Sequence, residues 1–140
     1  MMFLLDTNVV SELRKARAGK ANPGVTSWAQ DVPAASLFVS VISLHELEHG
    51  VLLAERRDPA QGRVLREWLD GSVAKAFADR FLPVDEPVAR RAAALHVPDP
   101  APYRDAFIAA TALVHTMTFV TRNVSVFARF DGVDVRNPWT

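Results

Sequence analysis

Short unbroken apolar runs alternate along the chain with longer stretches in which apolar residues recur at helical spacing. Phe3-Leu4-Leu5 is followed at once by Asp6-Thr7-Asn8, a polar cluster that turns a chain and caps a helix. It predicts a buried strand feeding a helix over Val9 to Arg14. Leu37 to Val41 predicts a second strand, after which Ser43 is the expected opening of a helix through Leu47 and Val51 to about Arg56, broken by Asp58-Pro59. Val64, Leu65, Trp68, Leu69 and Val73 carry the i, i+1, i+4, i+5 spacing of an amphipathic helix. Phe81 to Val84 predicts a short strand, and Asp85-Glu86-Pro87 caps a helix to about His96. The three prolines between Val97 and Tyr103 make a loop. Ala106 to Val114 is apolar nearly all round and predicts a buried helix; Thr118 to Thr121 and Val133 to Val135 complete the strands, the last at an edge.

Strands alternating with helices predict an α/β fold with a central, mostly parallel sheet flanked by helices. Such sheets build their sites at the carboxyl ends of the strands. Asp6, Ser43 to Glu46, and Arg122-Asn123 all fall there, and Asp105 starts the helix that leads into the Thr118 strand. No repeat, low-complexity tract or linker divides the chain, so residues 1–140 are expected to form one domain.

Composition narrows the chemistry. There is no cysteine, which excludes disulfides, thiolate zinc sites and cysteine nucleophiles. No apolar run approaches the ~20 residues of a membrane helix, and MMFLLDTN is too short for a secretion signal, so a cytoplasmic protein without membrane contact is expected. Lys plus Arg and Asp plus Glu both number 16, so any nucleic-acid site must be a local patch. Arg14 and Lys15, with Arg17 and Lys20 behind them, are candidates for RNA phosphates; a solvated helix end explains them equally well.

Each carboxylate has an ordinary explanation. Asp6 can be a helix cap, Ser43-x-x-Glu46 matches a capping box, and Asp105 suits the positive end of a helix. Gathered at one sheet edge, however, they would repel one another unless a cation neutralised them. Oxygen-only ligands select Mg2+ or Mn2+. Thr7 and Asn8 could orient the Asp6 carboxylate.

Four segments, FLLDTNVVSEL, SVISLHELEHGV, RDAFIAATALVH and FVTRNVSVFARFDGVDVRNPW, resemble the PIN-domain ribonucleases, in particular the VapC toxins of type II toxin–antitoxin pairs. They occur in the family's order. The resemblance implies a PIN-like domain and a metal-dependent endoribonuclease that hydrolyses RNA phosphodiester bonds. Its catalytic and metal-binding acids map onto Asp6, Glu46 (directly or through water) and Asp105. Thr7, Asn8, Thr121 and Asn123 match the polar positions around them. Many members carry a fourth acid where Asn123 or Val126 stands here, so this site holds less negative charge. The implied partners are RNA, a cognate VapB-type antitoxin and a second copy of the chain. The apolar residues Val51, Leu52, Val64, Leu65, Trp68 and Leu69 would suit a homodimer surface, or else one chain's own core.

Two other readings remain open on sequence grounds. His45-Glu46-Leu47-Glu48-His49 matches the zinc-protease pattern H-E-x-x-H, with Glu67 as a distant candidate for the third ligand. The missing fourth acid also allows a non-catalytic domain that grips RNA or an antitoxin without cutting.

Overall fold

The computed structural model describes residues 1–140. Five strands, β1 (Phe3–Leu5), β2 (Leu37–Ser40), β3 (Phe81–Leu82), β4 (Thr118–Val120) and β5 (Val135–Arg136), form one sheet in the order β3-β2-β1-β4-β5. Every pairing is parallel. The helices are α1 (Thr7–Arg14), α2 (Pro23–Asp31), α3 (Val41–Arg57), α4 (Pro59–Glu67), α5 (Ala74–Ala76), α6 (Glu86–Ala94), α7 (Tyr103–Val114) and α8 (Val124–Phe127). A π-helical stretch, Trp68–Val73, carries α4 into α5.

The central strands β1, β2 and β4 are short and largely buried on both faces, which is why they read as apolar runs, whereas the edge strands β3 and β5 are only partly covered. Successive side chains still point to opposite sides. Phe3, Leu5, Leu37, Val39 and Val120 join one core with Val9, Trp28, Leu47 and Val51. Leu4 and Phe119 join the other with Ile108, Ala109, Ala112 and Phe127. Helices therefore cover both faces, as expected of a parallel sheet.

Three helix starts differ from the sequence expectation, and the edge strands are shorter or shifted, β3 stopping at Leu82 and β5 running over Val135–Arg136. Ser40, not Ser43, caps α3: its Oγ accepts the Ile42 N–H at 3.0 Å. Ser43 lies buried inside the helix with its hydroxyl unpaired, so the expected capping box does not form. The chain turns into helix as soon as β2 ends, and Val41 is already helical. Helices α1 and α7 likewise begin earlier than expected, at Thr7 and Tyr103.

Helix α2 was not expected at all. Its signals are local: Asn22 accepts the N–H groups of Gly24 and Val25, and Pro23 opens the helix. Tertiary contact completes it. The carboxyl-terminal segment crosses the helix start, where a Cβ on Gly24 would lie 2.4 Å from the Pro138 carbonyl oxygen. The Thr140 backbone N–H also donates to Asn22 Oδ1 at 3.1 Å.

Most of the apolar residues suited to a dimer surface are used internally. Val51 and Leu69 are buried, and Leu65 and Trp68 pack against the same core. Leu52 and Val64 remain more than half exposed, at 52% and 54%.

Candidate active site

The site forms where the central strand ends. β1 lies between β2 and β4; the helices that follow β1 and β2 pack on one face of the sheet and the helix that leads into β4 packs on the other, so a crevice opens beyond the carboxyl end of β1. Asp6 is the first residue past β1 and is fully buried. Glu46 stands in the second turn of α3, which starts at the same edge after β2. Helix α7 runs back toward β4, so its first turn, carrying Asp105, returns to that edge. Thr121 follows directly after β4.

Asp6 is held from several directions. Its Oδ2 accepts the Thr121 hydroxyl at 2.7 Å and the Asn8 amide at 3.4 Å, and its Oδ1 accepts the Thr7 backbone N–H at 2.7 Å. Thr7 also donates its hydroxyl to Glu46 Oε1 at 2.5 Å, tying α1 to α3. Thr121 Oγ1 in turn accepts the Asn123 backbone N–H at 3.0 Å. The Asn8 side-chain oxygen is buried without a partner, an acceptor left over beside the carboxylate.

The one positive charge in the cluster is Arg104, which no motif marked. Arg104 Nη2 donates to Asp6 Oδ1 at 2.7 Å, Nε and Nη2 grip Glu46 at 2.7 and 2.9 Å, and Nη1 reaches Asp105 Oδ1 at 3.1 Å. One guanidinium therefore joins all three acids. Burial opposes ionisation of Glu46. The hydrogen bonds from Arg104 and Thr7, with the guanidinium's charge, outweigh it and hold the Glu46 carboxyl below the ordinary glutamate value. Burial likewise opposes the Arg104 charge, and the contacts with Glu46 and Asp6 more than reverse that, so its pKa is raised. The signal in the sequence was only a basic residue immediately before Asp105.

The donor set suits a hard cation: carboxylate oxygens, a hydroxyl close by, and an unpaired amide oxygen. The guanidinium stands in for that cation. With Arg104 in place, no three acidic or histidine side chains converge tightly enough to enclose an ion.

A family model described as "PIN domain" matches residues 3–133. The chain belongs to the PIN domain family. Among relatives of this PIN domain, Toxin FitB of Neisseria gonorrhoeae is 38% identical, with 99% of each chain covered. VapC ribonuclease Y4jK of Sinorhizobium fredii is 35% identical over 99% of this chain and 98% of its own. The crystal structure of FitAcB from Neisseria gonorrhoeae superimposes with a TM-score of 0.87 at 36% identity, covering 99% of both chains. A member of the VapBC family of toxin–antitoxin systems, VapBC-5 from Mycobacterium tuberculosis, gives 0.64 at 25% identity, covering 99% and 98%.

The remaining candidate residues of this PIN domain lie further out. Asn123 contributes its backbone N–H to Thr121, while its side chain is exposed. Arg14 and Lys15 end α1 and are exposed. Arg14 lies seven helical positions beyond Thr7, about 10 Å along the axis. Lys15 pairs with Glu12 at 3.2 Å and Arg14 lies over the Trp68 ring, so both have local structural uses. His45 and His49 line an exposed groove of α3 with Leu44, Glu48 and Leu52, whereas Glu46 turns inward to Thr7 and Arg104. The H-E-x-x-H letters thus divide between two faces of the helix, and the zinc-protease reading loses its central acid.

Proposed function

We propose that this PIN domain, one domain across residues 1–140, is an endoribonuclease toxin that hydrolyses RNA phosphodiester bonds with Mg2+ or Mn2+. A cognate VapB-type antitoxin neutralises it in the cytoplasm, and the working unit is a homodimer. One observation carries the reading. Three acids from three remote parts of the chain meet at the end of the central strand, where Thr7, Asn8 and Thr121 orient the innermost of them. The likeness to relatives named as a toxin and as a VapC ribonuclease, and to a member of a toxin–antitoxin family, supports the same function.

Asp6, Asp105 and Glu46 would hold the metal, Glu46 directly or through water. A divalent ion held there would supply Lewis acidity for the attacking water and the leaving oxygen of the phosphodiester. The protein's own contribution is orientation. The Thr121 hydroxyl and the Thr7 backbone fix the Asp6 carboxylate, and the Thr7 hydroxyl fixes Glu46, so the acids enter the reaction already placed. Asn123, in place of a fourth acid, would lend at most a neutral oxygen.

The test is cleavage of RNA by purified protein with added Mg2+ or Mn2+. Asp6→Asn and Asp105→Asn should each lower the rate by about a hundredfold or more, as loss of a group stabilising charge in the transition state does. Their circular dichroism should be unchanged. Wild-type cleavage rates in either variant, or undiminished cleavage in excess chelator, would overturn the assignment.

A further inference from the structure

Arg104 occupies the centre of the acidic site through three separate nitrogens. Nε and Nη2 form a fork on Glu46, Nη2 also serves Asp6 and lies 3.5 Å from the Thr7 hydroxyl, and Nη1 serves Asp105. The residue belongs to the first turn of α7, and its side chain is 32% exposed. Its guanidinium is thus attached by a long stem that one side of the crevice leaves open to water.

A guanidinium and a divalent ion make incompatible demands on these oxygens. The flat fork spreads its acceptors around its edge, each bonded at 2.7–3.1 Å to a nitrogen. A magnesium ion draws its oxygens to about 2.1 Å, which brings neighbouring ligands to about 3 Å from one another. The present arrangement matches the first demand, and no acidic triad closes around a single point. Both cations also claim the same lone pairs. One must leave for the other to bind.

We propose that Arg104 is a built-in counter-ion that keeps the catalytic carboxylates occupied and competes with the divalent metal, so that metal binds only as the guanidinium swings out. This rests on the metal-dependent reading of the site and adds a regulator to it. With the guanidinium in, one of the three negative charges is balanced and the acids are held apart, and the resting protein has low metal affinity. With it out, Asp6, Glu46 and Asp105 can close on an ion. The apparent metal affinity of the whole protein is then reduced by the fraction of molecules that are open.

The experiment measures metal binding rather than cleavage. Mn2+ is titrated calorimetrically into the wild-type protein, Arg104→Gln and Arg104→Lys. If the open form is about a tenth of the population or less, Arg104→Gln binds Mn2+ about tenfold tighter or more. Arg104→Lys keeps the charge but not the three-way fork, so it falls between, and it keeps the test available if the glutamine variant does not fold. The Arg104 Nε–H resonance, assigned by its loss in Arg104→Lys, reports the swing in the wild-type protein. It should exchange slowly with water in metal-free protein and become solvent-exchanging at saturating Mg2+. Equal or weaker Mn2+ affinity in Arg104→Gln overturns the competition while leaving the metal-dependent nuclease intact, as does an Nε–H still protected at saturating Mg2+. Failure of all three proteins to bind Mn2+, with RNA cleavage persisting in chelator, removes both the competition and the reading beneath it.

Discussion

Two arginines in this protein each bind a set of acids, and the two sets could hardly be more differently built. Arg66 on α4 pairs with Glu48 at 2.6 Å, Glu55 at 3.0 Å and Asp70 at 3.5 Å. Its acids belong to α3 and the π-helical stretch after α4, and their side chains are 37% to 63% exposed. Arg104 pairs with acids 98, 58 and 1 residues away, and the Asp6 side chain is 1% exposed. The first cluster stitches a surface. Water screens it, and the two helices it joins are already held close by Gly62, where a Cβ would meet the Glu55 backbone at 2.4 Å. The second brings like charges together in a crevice where isolated carboxylates repel strongly. An acid cluster that is costly to assemble and drawn from remote elements points to chemistry. One that forms within a hairpin in water points only to stability.

That contrast can be broken in graded ways. The largest effect after loss of a catalytic acid should come from Thr121→Val, which removes the hydroxyl donor to Asp6 without touching the acids. Orienting partners of this kind are worth about 10–100-fold in metal affinity or activity. Metal titration and RNA cleavage should both fall, and unchanged values would mean that the Thr121–Asp6 bond is only structural. Gly62→Ala should act in the opposite pattern. Overpacking against the α3 backbone should cost about 1–3 kcal/mol in urea unfolding, with cleavage by the folded fraction unaltered. Arg66→Gln should move the urea unfolding midpoint little, because its partners are exposed and screened by water. A larger loss would show that the surface cluster is more than a stitch.

The smallest effect is a proton. Burial opposes ionisation of Glu46, but Arg104, Thr7 and the guanidinium charge together lower its pKa; Glu48 is lowered chiefly by the hydrogen bond from Arg66. A carboxyl depressed in the folded state adds stability above its unfolded value, and that stability is lost as pH falls through the folded value. Both clusters therefore weaken in acid. Carboxyl-detected NMR should show Glu48 returning toward the ordinary glutamate value in Arg66→Gln while Glu46 keeps its depressed one. A shift of both would mean that the clusters are coupled across α3.

Much of the architecture was legible in one dimension. Phe3-Leu4-Leu5, Leu37 to Val41 and Thr118 to Thr121 read as strands because burial on both faces leaves a mostly apolar run, and the strands found there, β1, β2 and β4, pair in parallel. Asp6, Glu46 and Asp105 were recognisable because each stands at the end of an element that a parallel sheet brings to one edge. Short-range competition obscured the rest. Ser40 and Ser43 offer the same hydroxyl three residues apart, and only the length of β2 decides which one caps α3. Helix α2 has weak helix formers, and contact with the carboxyl-terminal segment completes it.

By itself, then, the sequence determined the strand–helix alternation and the double-sided burial of the central strands, since these follow from patterns that repeat within a few residues, while the three acids were singled out by the resemblance to the PIN-domain ribonucleases. Tertiary structure alone decided how charge is balanced among them. Electrostatic partners are chosen by distance in space, so Glu46 could turn inward to Thr7 and Arg104 while His45 and His49, its neighbours in the motif, face the other way. Arg104 next to Asp105 looks like an ordinary surface pair until α7 folds back on the sheet edge. Only then does its guanidinium meet Asp6 and Glu46, whose negative charge outweighs the burial that would otherwise expel it.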